Sequence, residues 1–278
     1  METVRIGTRG SALARTQTGH VADAICSLGD FEIKIIHIRT DGDRLTGPLA
    51  TLGGTGVFIT ALRDALLEGR CDLAVHSLKD LPTGDAPGLT IAAIPSRADA
   101  RDALCSRDGR PLVGLPSGAR VGTGSPRRVA QLLAVRPDLE VVDLRGNVDT
   151  RLRRVTDGDL DAVVLAAAGL QRIGRLDANT VPLDPTLMVP APVGAYAQAD
   201  GRRLALSATV VAADGSARIH RTATRSLPVQ GDDAAPTTGV ALSRDAAITT
   251  ARTLGADLAA ELLAAGAARL MATRTERS

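Results

Sequence analysis

Aromatic side chains are scarce in this sequence, which contains two Phe, one Tyr and no Trp among its 278 residues. Proteins that bind single-stranded nucleic acid stack bases on aromatic side chains, and proteins that coat a polyanion carry a strong positive charge. The net charge here is only +2. We therefore expect no nucleic-acid partner, and we expect any recognition of anions to be local.

Long apolar segments are also missing. No stretch approaches the roughly 20 consecutive apolar residues of a membrane-spanning helix. The first residues, METVRIGTRGS, lack the apolar core of a secretory signal peptide. We expect a cytoplasmic protein without membrane association, and an exported solute-binding protein is disfavoured for the same reason.

Cysteine is limited to Cys26, Cys71 and Cys105. The number is odd and no two of them form a C-x-x-C pair, so the sequence predicts neither a disulfide framework nor a zinc site. We expect three reduced and mostly buried thiols and no bound metal.

Short β-type runs alternate with helical patterns over about the first 190 residues, which is typical of an α/β fold with largely parallel sheets. The remainder predicts a small α+β unit, with a hairpin at Asp214-Gly215 and a helix from about Arg244 to Met271 for which Gly255 is the candidate interruption. We predict three domains, α/β at 1–98 and 99–192 and α+β at 193–278. In the α/β part, a helix is expected at 56–70, and strands are expected at 4–7, 31–40, 71–78, 89–96, 119–124, 139–146 and within 160–174.

Four polar segments follow predicted strands, at the sheet edge where parallel α/β folds bind ligands. They lie at 7–11, within 74–83, at 122–128 and at 144–151. Any one segment alone is better explained without function, by solvated surface arginines and by helix-capping residues such as Ser125 and Asn147. Taken together, they indicate a cleft for a ligand that carries several carboxylates or phosphates. The arginines in these segments are Arg9, Arg127, Arg128, Arg145 and Arg151.

The segment AVHSLKDLPT combines a cation with a carboxylate at the end of a predicted strand. Lysine occurs only at positions 34 and 79 in a chain that otherwise uses arginine, so the compact ammonium of Lys79 suggests a specific task. Asp80 beside it should stay ionised, and it could stabilise a developing cation or transfer a proton. The alternative is an Asp that caps a turn before Pro82. His76 is better explained as a hydrogen-bonded structural residue.

The chain resembles the porphobilinogen deaminase (hydroxymethylbilane synthase) family. The motifs that carry the resemblance extend from about residue 4 to residue 192, and the H-S-x-K-D-x-P element is highly specific. They are IGTRGSALA, AVHSLKDLPT, VGTGSPRR, LRGNVDTRL and DAVVLAAAGLQRIG.

This resemblance implies two periplasmic-binding-protein-like α/β domains, a small α+β domain and a monomeric transferase of porphyrin and haem biosynthesis. The implied reaction joins four porphobilinogen units head to tail and releases ammonia. Asp80 falls on the family's catalytic aspartate, which stabilises the cationic azafulvene formed when ammonia leaves. The residues that fall on positions binding the carboxylates of a dipyrromethane cofactor and the growing chain are Arg9, Ser11, Lys79, Thr123, Ser125, Arg127, Arg128, Arg145, Arg151 and Arg172.

The sequence departs from the family pattern after Pro192. In the family, a cysteine in a G-G-C-x-x-P loop of the C-terminal domain attaches the dipyrromethane through a thioether, and this chain has no such motif. An internal block including that loop is missing between Pro192 and Val193, which leaves Cys26, Cys71 and Cys105 as the only thiols. The alternative function is therefore a cofactor-less binding module for pyrrole carboxylates.

Overall fold

A computed structural model divides the chain into two compact units. The first unit comprises Met1–Ala98 and Ala168–Arg175, and the second comprises Asp99–Ala167 and Leu176–Ser278. Each unit is described by itself. The predicted junction after Pro192 lies outside the described residues, so the division into three domains stays a prediction. The structure describes residues 1–39, 59–82, 84, 86–189, 194–200, 202–228 and 244–272.

The first unit contains a three-stranded parallel sheet in the order β2-β1-β3. Apolar side chains of β1 and of the helix α2 form its core, in which Ile6, Leu62 and Ala65 have no exposed surface. The elements of this unit are β1 (Glu2–Thr8), α1 (Ala12–Cys26), β2 (Phe31–His37), α2 (Thr60–Leu67) and β3 (Leu73–Ala74), and most of α5 (Ala167–Arg172) also belongs to it.

The second unit contains a five-stranded sheet in the order β6-β5-β7-β4-β8. The strands β5, β6 and β7 are parallel, whereas β4 is antiparallel to both of its neighbours, β7 and β8. The expected mixed α/β class is confirmed, and the sheet is less parallel than the pattern indicated. The elements are β4 (Asp102–Ser106), β5 (Arg120–Gly122), α3 (Pro126–Val135), β6 (Glu140–Val142), α4 (Val148–Thr156), β7 (Ala162–Ala166) and β8 (Thr180–Pro182).

The C-terminal part of the second unit is an antiparallel sheet covered by a helix. The predicted hairpin is confirmed, and its turn residue Gly215 has a φ of 77°. Leu258 and Leu262 pack against the sheet. The helix continues through Gly255 and breaks only at Ala265-Gly266. The elements are β9 (Ala195–Asp200), β10 (Arg203–Val211), β11 (Arg218–Ser226), α6 (Arg244–Ala264) and α7 (Ala267–Ala272).

The predicted strand at 89–96 is wrong. These residues have no strand assignment, and Ile91 and Ile94 are 58% and 66% exposed. An extended apolar segment becomes a strand only when a neighbouring strand satisfies its backbone groups. Within the part of the first unit that the structure describes, the sheet ends at β3, and that strand covers only two of the residues predicted at 71–78.

Candidate functional site

The loop after β1 positions the first group of predicted site residues. Thr8 ends the strand with no exposed surface, and its Oγ1 accepts a 2.8 Å hydrogen bond from Thr18 of α1. Ser11 occupies the N-cap of α1, where its Oγ accepts a 3.2 Å hydrogen bond from the backbone N–H of Ala14. Arg9 lies half-buried between these fixed residues. The loop geometry is thus held from both sides, by the strand and by the helix cap.

Asp80 ends a single 3-10 turn, Leu78–Asp80, that follows β3. Its backbone N–H donates to the Ser77 carbonyl oxygen at 2.9 Å. The Ser77 hydroxyl donates to Gln17 Oε1 at 2.9 Å, which ties the turn to α1. Asp80 is half-buried, whereas its neighbour Lys79 is exposed. The cation and the carboxylate of the motif therefore occupy different environments.

The pKa of His76 depends on the charged groups near it, one of which is Asp80. Burial lowers the pKa of the imidazole, the carboxylate of Asp80 opposes this effect, and the charges of Arg9 and Arg63 add to it. The charges of Asp80, Arg9 and Arg63 therefore all act on this half-buried ring. Arg63 belongs to α2 and follows no motif, so the sequence offered no signal for it. The sequence predicts this helix, but it does not predict which face of the helix lies near His76.

Close backbone packing joins two of the motifs in the second unit. A Cβ on Gly124 would lie 2.7 Å from the carbonyl oxygen of Leu144, so only glycine fits where the two loops meet. Thr123 is buried, and its backbone N–H donates a 2.9 Å hydrogen bond to the carbonyl oxygen of Val142. The predicted segments VGTGSPRR and LRGNVDTRL are thereby brought together.

Helix α3 begins as the sequence predicts, with Ser125 at the N-cap and Pro126 at the first helical position. The Ser125 side chain makes no capping hydrogen bond. Its backbone N–H instead donates to Thr123 Oγ1 at 3.3 Å. The Ser125 hydroxyl is thus not used to hold the helix start, unlike that of Ser11.

Arg127 and Arg128 share one buried carboxylate. Arg127 Nη2 lies 2.8 Å from Asp102 Oδ2, and Arg128 Nη2 lies 2.7 Å from Asp102 Oδ1. The side chains of the two arginines are only 17% and 10% exposed. Burial alone would raise the pKa of Asp102, but the charges and hydrogen bonds of Arg128 and Arg127 lower it. Sequence reasoning did not identify Asp102, which lies at the start of β4, far along the chain from either arginine.

The second unit concentrates positive charge beside these residues. We use the term arginine cluster for Arg128, Arg145 and Arg151. Burial lowers the pKa of Arg151, the charges of Arg128 and Arg145 lower it further, and Asp143 opposes them. Asp143 is largely exposed and lies 3.9 Å from Arg145. Such a concentration of cations is suited to binding an anion.

Local hydrogen bonds position Arg151 at the start of α4. Asn147 caps this helix, since its Oδ1 accepts a 2.9 Å hydrogen bond from the Thr150 N–H. Arg151 Nε donates to the Gly146 carbonyl oxygen at 2.8 Å. The predicted capping role of Asn147 is confirmed.

The predicted site residues therefore form two sets, one in each unit. The last of them, Arg172, lies half-buried in the final turn of α5 in the first unit. The first set is Arg9, Ser11, Lys79, Asp80 and Arg172, and the second is Thr123, Ser125, Arg127, Arg128, Arg145 and Arg151.

None of the three thiols is suited to a covalent thioether. Cys71 is buried against Gly7, and burial raises the pKa of its thiol. Cys105 is buried in β4, where burial raises the pKa of its thiol to about 11. Only the thiolate form attacks an electrophile efficiently. Cys26 is exposed, but it ends α1, roughly 20 Å along the helix from its capped start at Ser11.

In the described ranges, no group of three or more His, Cys, Asp or Glu side chains is placed to hold a metal ion. No helix in the same ranges is both long enough and apolar enough to cross a membrane.

The fold and the two sets of residues define a mixed α/β protein in which basic side chains follow strand ends in each unit, with Asp80 in the set of the first unit. The family model for the dipyromethane cofactor binding domain of porphobilinogen deaminase matches residues 4–199. The chain belongs to the porphobilinogen deaminase family.

Curated relatives agree with this assignment. The chain is 59% identical over 208 residues to porphobilinogen deaminase of Micrococcus luteus and 61% identical over 189 residues to that of Leifsonia xyli. These alignments cover 69% and 68% of this chain but 55% and 57% of the relatives. The chain thus spans little more than half the length of these curated relatives.

One relative aligns from end to end. Porphobilinogen deaminase 1 of Streptomyces coelicolor is 44% identical, and the alignment covers 98% of both chains. This alignment extends over 315 residues, more than the 278 residues of this chain. The relative therefore contains residues that have no counterpart here.

Among solved structures, the periplasmic VFT2 domain of BvgS from Bordetella pertussis aligns with a TM-score of 0.37 and 15% identity, over 66% of this chain and 76% of that one. A score at this level supports no argument about function.

The family implies a dipyrromethane cofactor, and the residues of this chain fit it only in part. Guanidinium groups such as those of the arginine cluster suit the carboxylates of such a group. The covalent attachment does not fit, because two thiols are buried and the third lies at the far end of α1.

Proposed function

We propose that this chain binds porphobilinogen through its basic side chains and joins porphobilinogen units head to tail, with release of ammonia. The observation that carries the proposal is the placement of Asp80, half-buried and close enough to His76 to act on it together with Arg9. A carboxylate in that position can stabilise a cation that forms beside it.

Asp80 would have two roles in the reaction, to stabilise a cation in the first step and to accept a proton in the last. The C–N bond of the protonated aminomethyl group breaks, ammonia leaves with the bonding electrons, and the pyrrole becomes an azafulvene cation that the carboxylate stabilises. The next pyrrole then attacks the methylene carbon through its free α carbon. A proton must leave that carbon to restore the aromatic ring, and Asp80 is the proposed acceptor.

The basic residues would hold the acetate and propionate groups of each pyrrole. Guanidinium groups bind carboxylates with two parallel hydrogen bonds, whereas the ammonium of Lys79 acts as a compact charge. We assign this task to the ten residues that match the family motifs, which are Arg9, Ser11, Lys79, Thr123, Ser125, Arg127, Arg128, Arg145, Arg151 and Arg172.

We further propose that the protein is cytoplasmic and acts as a monomer, without nucleic acid or membrane as a partner. Size-exclusion chromatography with light scattering tests the monomer directly. A mass near 28.6 kDa is expected, and twice that value contradicts it.

The function is tested by incubating the purified chain with porphobilinogen and measuring substrate consumption, bilane formation and the intact mass. Asp80→Asn should abolish consumption, because the amide cannot stabilise the cation or accept the proton. Asp30→Asn, which changes an exposed aspartate between α1 and β2, is the matched control and should leave consumption unchanged. Binding without consumption by the unchanged chain would assign the other function, a module that holds pyrrole carboxylates.

A further inference from the structure

We propose that Asp102 is a positioning residue of the anion site in the second unit, where its carboxylate holds Arg127 and Arg128 in the orientation that receives a ligand carboxylate. This inference rests on the proposed function. Asp102 belongs to none of the family motifs recognised in the sequence, and its role emerges only from the packing of β4 against the start of α3.

The two carboxylate oxygens of Asp102 bind different arginines. Oδ2 of Asp102 accepts from Arg127 and Oδ1 accepts from Arg128, at 2.8 and 2.7 Å. A second donor of each arginine reaches a backbone carbonyl oxygen, that of Val189 for Arg127 and that of Val164 for Arg128. Each guanidinium is therefore held at two points, which fixes its plane as well as its position.

The supporting residues are fixed in turn. Gln131 accepts a 2.7 Å hydrogen bond from the Val189 N–H through its Oε1 and is itself buried. Asp102 is 3% exposed, and its carbonyl oxygen accepts from Leu183 at 2.8 Å. Asp102 therefore cannot follow the arginines if they move, and the arginines depend on it for their placement.

One donor of this arrangement points to a ligand. Arg128 Nε is buried and has no hydrogen-bond partner among the described residues. Leaving a buried donor without a partner destabilises a protein, so such groups are rare. The Arg128 side chain is 10% exposed and its charge acts on Arg151, so this donor lies within the arginine cluster. A ligand carboxylate would satisfy it.

The charges lead to the same conclusion. Arg127 and Arg128 carry two positive charges and Asp102 carries one negative charge, so the group retains one positive charge beside Arg145 and Arg151. Removing the carboxylate would leave two uncompensated buried cations. The less buried of the two, Arg127, would then move toward solvent, and the carboxylate-binding geometry would be lost.

The test compares Asp102→Asn with Asp138→Asn by calorimetric titration with porphobilinogen. Asp138 also pairs with an arginine, Arg136, at 2.7 Å, so the control removes a more exposed Asp–Arg pair elsewhere in the second unit. Residues in one buried hydrogen-bonded network are energetically coupled. We therefore expect Asp102→Asn to raise the Kd about tenfold, and Asp138→Asn to leave it unchanged.

A double-mutant cycle separates positioning from a merely structural role. If Asp102 acts through Arg127, then Asp102→Asn should add little to the loss in affinity already caused by Arg127→Ala. Independent, additive losses contradict the inference. Should Asp102→Asn fail to fold, Asp102→Glu makes the same comparison, because it retains the charge but displaces it by one methylene. We expect Asp102→Glu to raise the Kd above that of the unchanged chain, and a Kd equal to that of the unchanged chain contradicts the inference.

The two failures can be told apart. If the unchanged chain binds porphobilinogen and Asp102→Asn binds it equally well, the inference is overturned and the proposed function stands. If the unchanged chain, verified as folded by circular dichroism, does not bind porphobilinogen, the proposed function is overturned, and the inference with it.

Discussion

Gly7 and Cys71 lie directly against each other in the first unit, and a Cβ on Gly7 would come within 2.8 Å of the Cys71 sulfur. Gly7 is the second-to-last residue of β1, and Cys71 lies two residues before the start of β3. The end of β1, which leads to Arg9 and Ser11, is therefore packed so closely that no space remains for a side chain at Gly7.

This contact predicts the effect of Gly7→Ala. The added methyl group also meets Leu62, so the core must shift, and overpacking of this kind typically costs about 1–3 kcal/mol. Gly19→Ala is the control, because nothing lies within 4 Å of a Cβ at that helical position. Urea denaturation should show a lower free energy of unfolding for Gly7→Ala only, and an unchanged value for it would contradict the packing.

Thiol reactivity should distinguish the three cysteines. Cys26 is exposed, whereas Cys71 and Cys105 are buried, so iodoacetamide at pH 8 should label Cys26 first and the others only on unfolding. Peptide mass mapping measures the order, and Cys26→Ser provides the control. After incubation with porphobilinogen we expect no added dipyrrole mass on any cysteine. Such a mass on Cys71 or Cys105 would contradict the placement of the thiols.

The pKa of Cys105 also predicts a dependence of stability on alkaline pH. The unfolded thiol ionises near 8.5, whereas the folded thiol ionises at about 11. The contribution of this group to stability is therefore complete below about pH 8.5 and is lost as the pH rises toward 11. Cys105→Ala should flatten this part of the profile of unfolding free energy against pH, and identical profiles would contradict the prediction.

Asp102 should govern stability on the acid side. Its folded pKa is lowered, so its contribution is present above the unfolded value of about 3.9 and is lost as the pH falls through the folded pKa. Asp102→Asn should therefore be less stable near neutral pH and should lose less stability on acidification. Denaturation midpoints from pH 7 to 3 measure this, with Asp138→Asn as a comparison for a more exposed pair.

His76 provides a direct test of the surroundings of Asp80. Its imidazole should titrate below the ordinary value, because burial disfavours the charged form. Asp80→Asn should lower that pKa further, since the carboxylate of Asp80 is the group that raises it. Two-dimensional NMR across pH 4–8 measures the titration, and the loss of the signal in His76→Gln identifies it. A pKa that does not change in Asp80→Asn would place Asp80 away from the ring.

The sequence was most informative where a short motif determines local structure. The caps at Ser11 and Asn147, the proline that begins α3 and the Asp214-Gly215 hairpin could all be predicted, because each depends on neighbours within a few residues. Asp102 could not be identified, since its partners lie in a helix that follows it by some 25 residues.

The two wrong expectations of secondary structure have physical causes. The apolar segment at 89–96 has the composition of a strand, but strand formation also requires a neighbouring strand that the sequence pattern does not supply. Gly255 is the candidate helix interruption in the sequence, because glycine costs about 1 kcal/mol in a helix. Burial of Leu254 and Leu258 in the same turns outweighs that cost.

The central claim is tested most directly by the rate at which ammonia is released from porphobilinogen by the unchanged chain and by Asp80→Asn. We predict measurable release by the unchanged chain and its loss in Asp80→Asn, with substrate binding retained in both. Release at the same rate in both proteins would contradict the role given to Asp80.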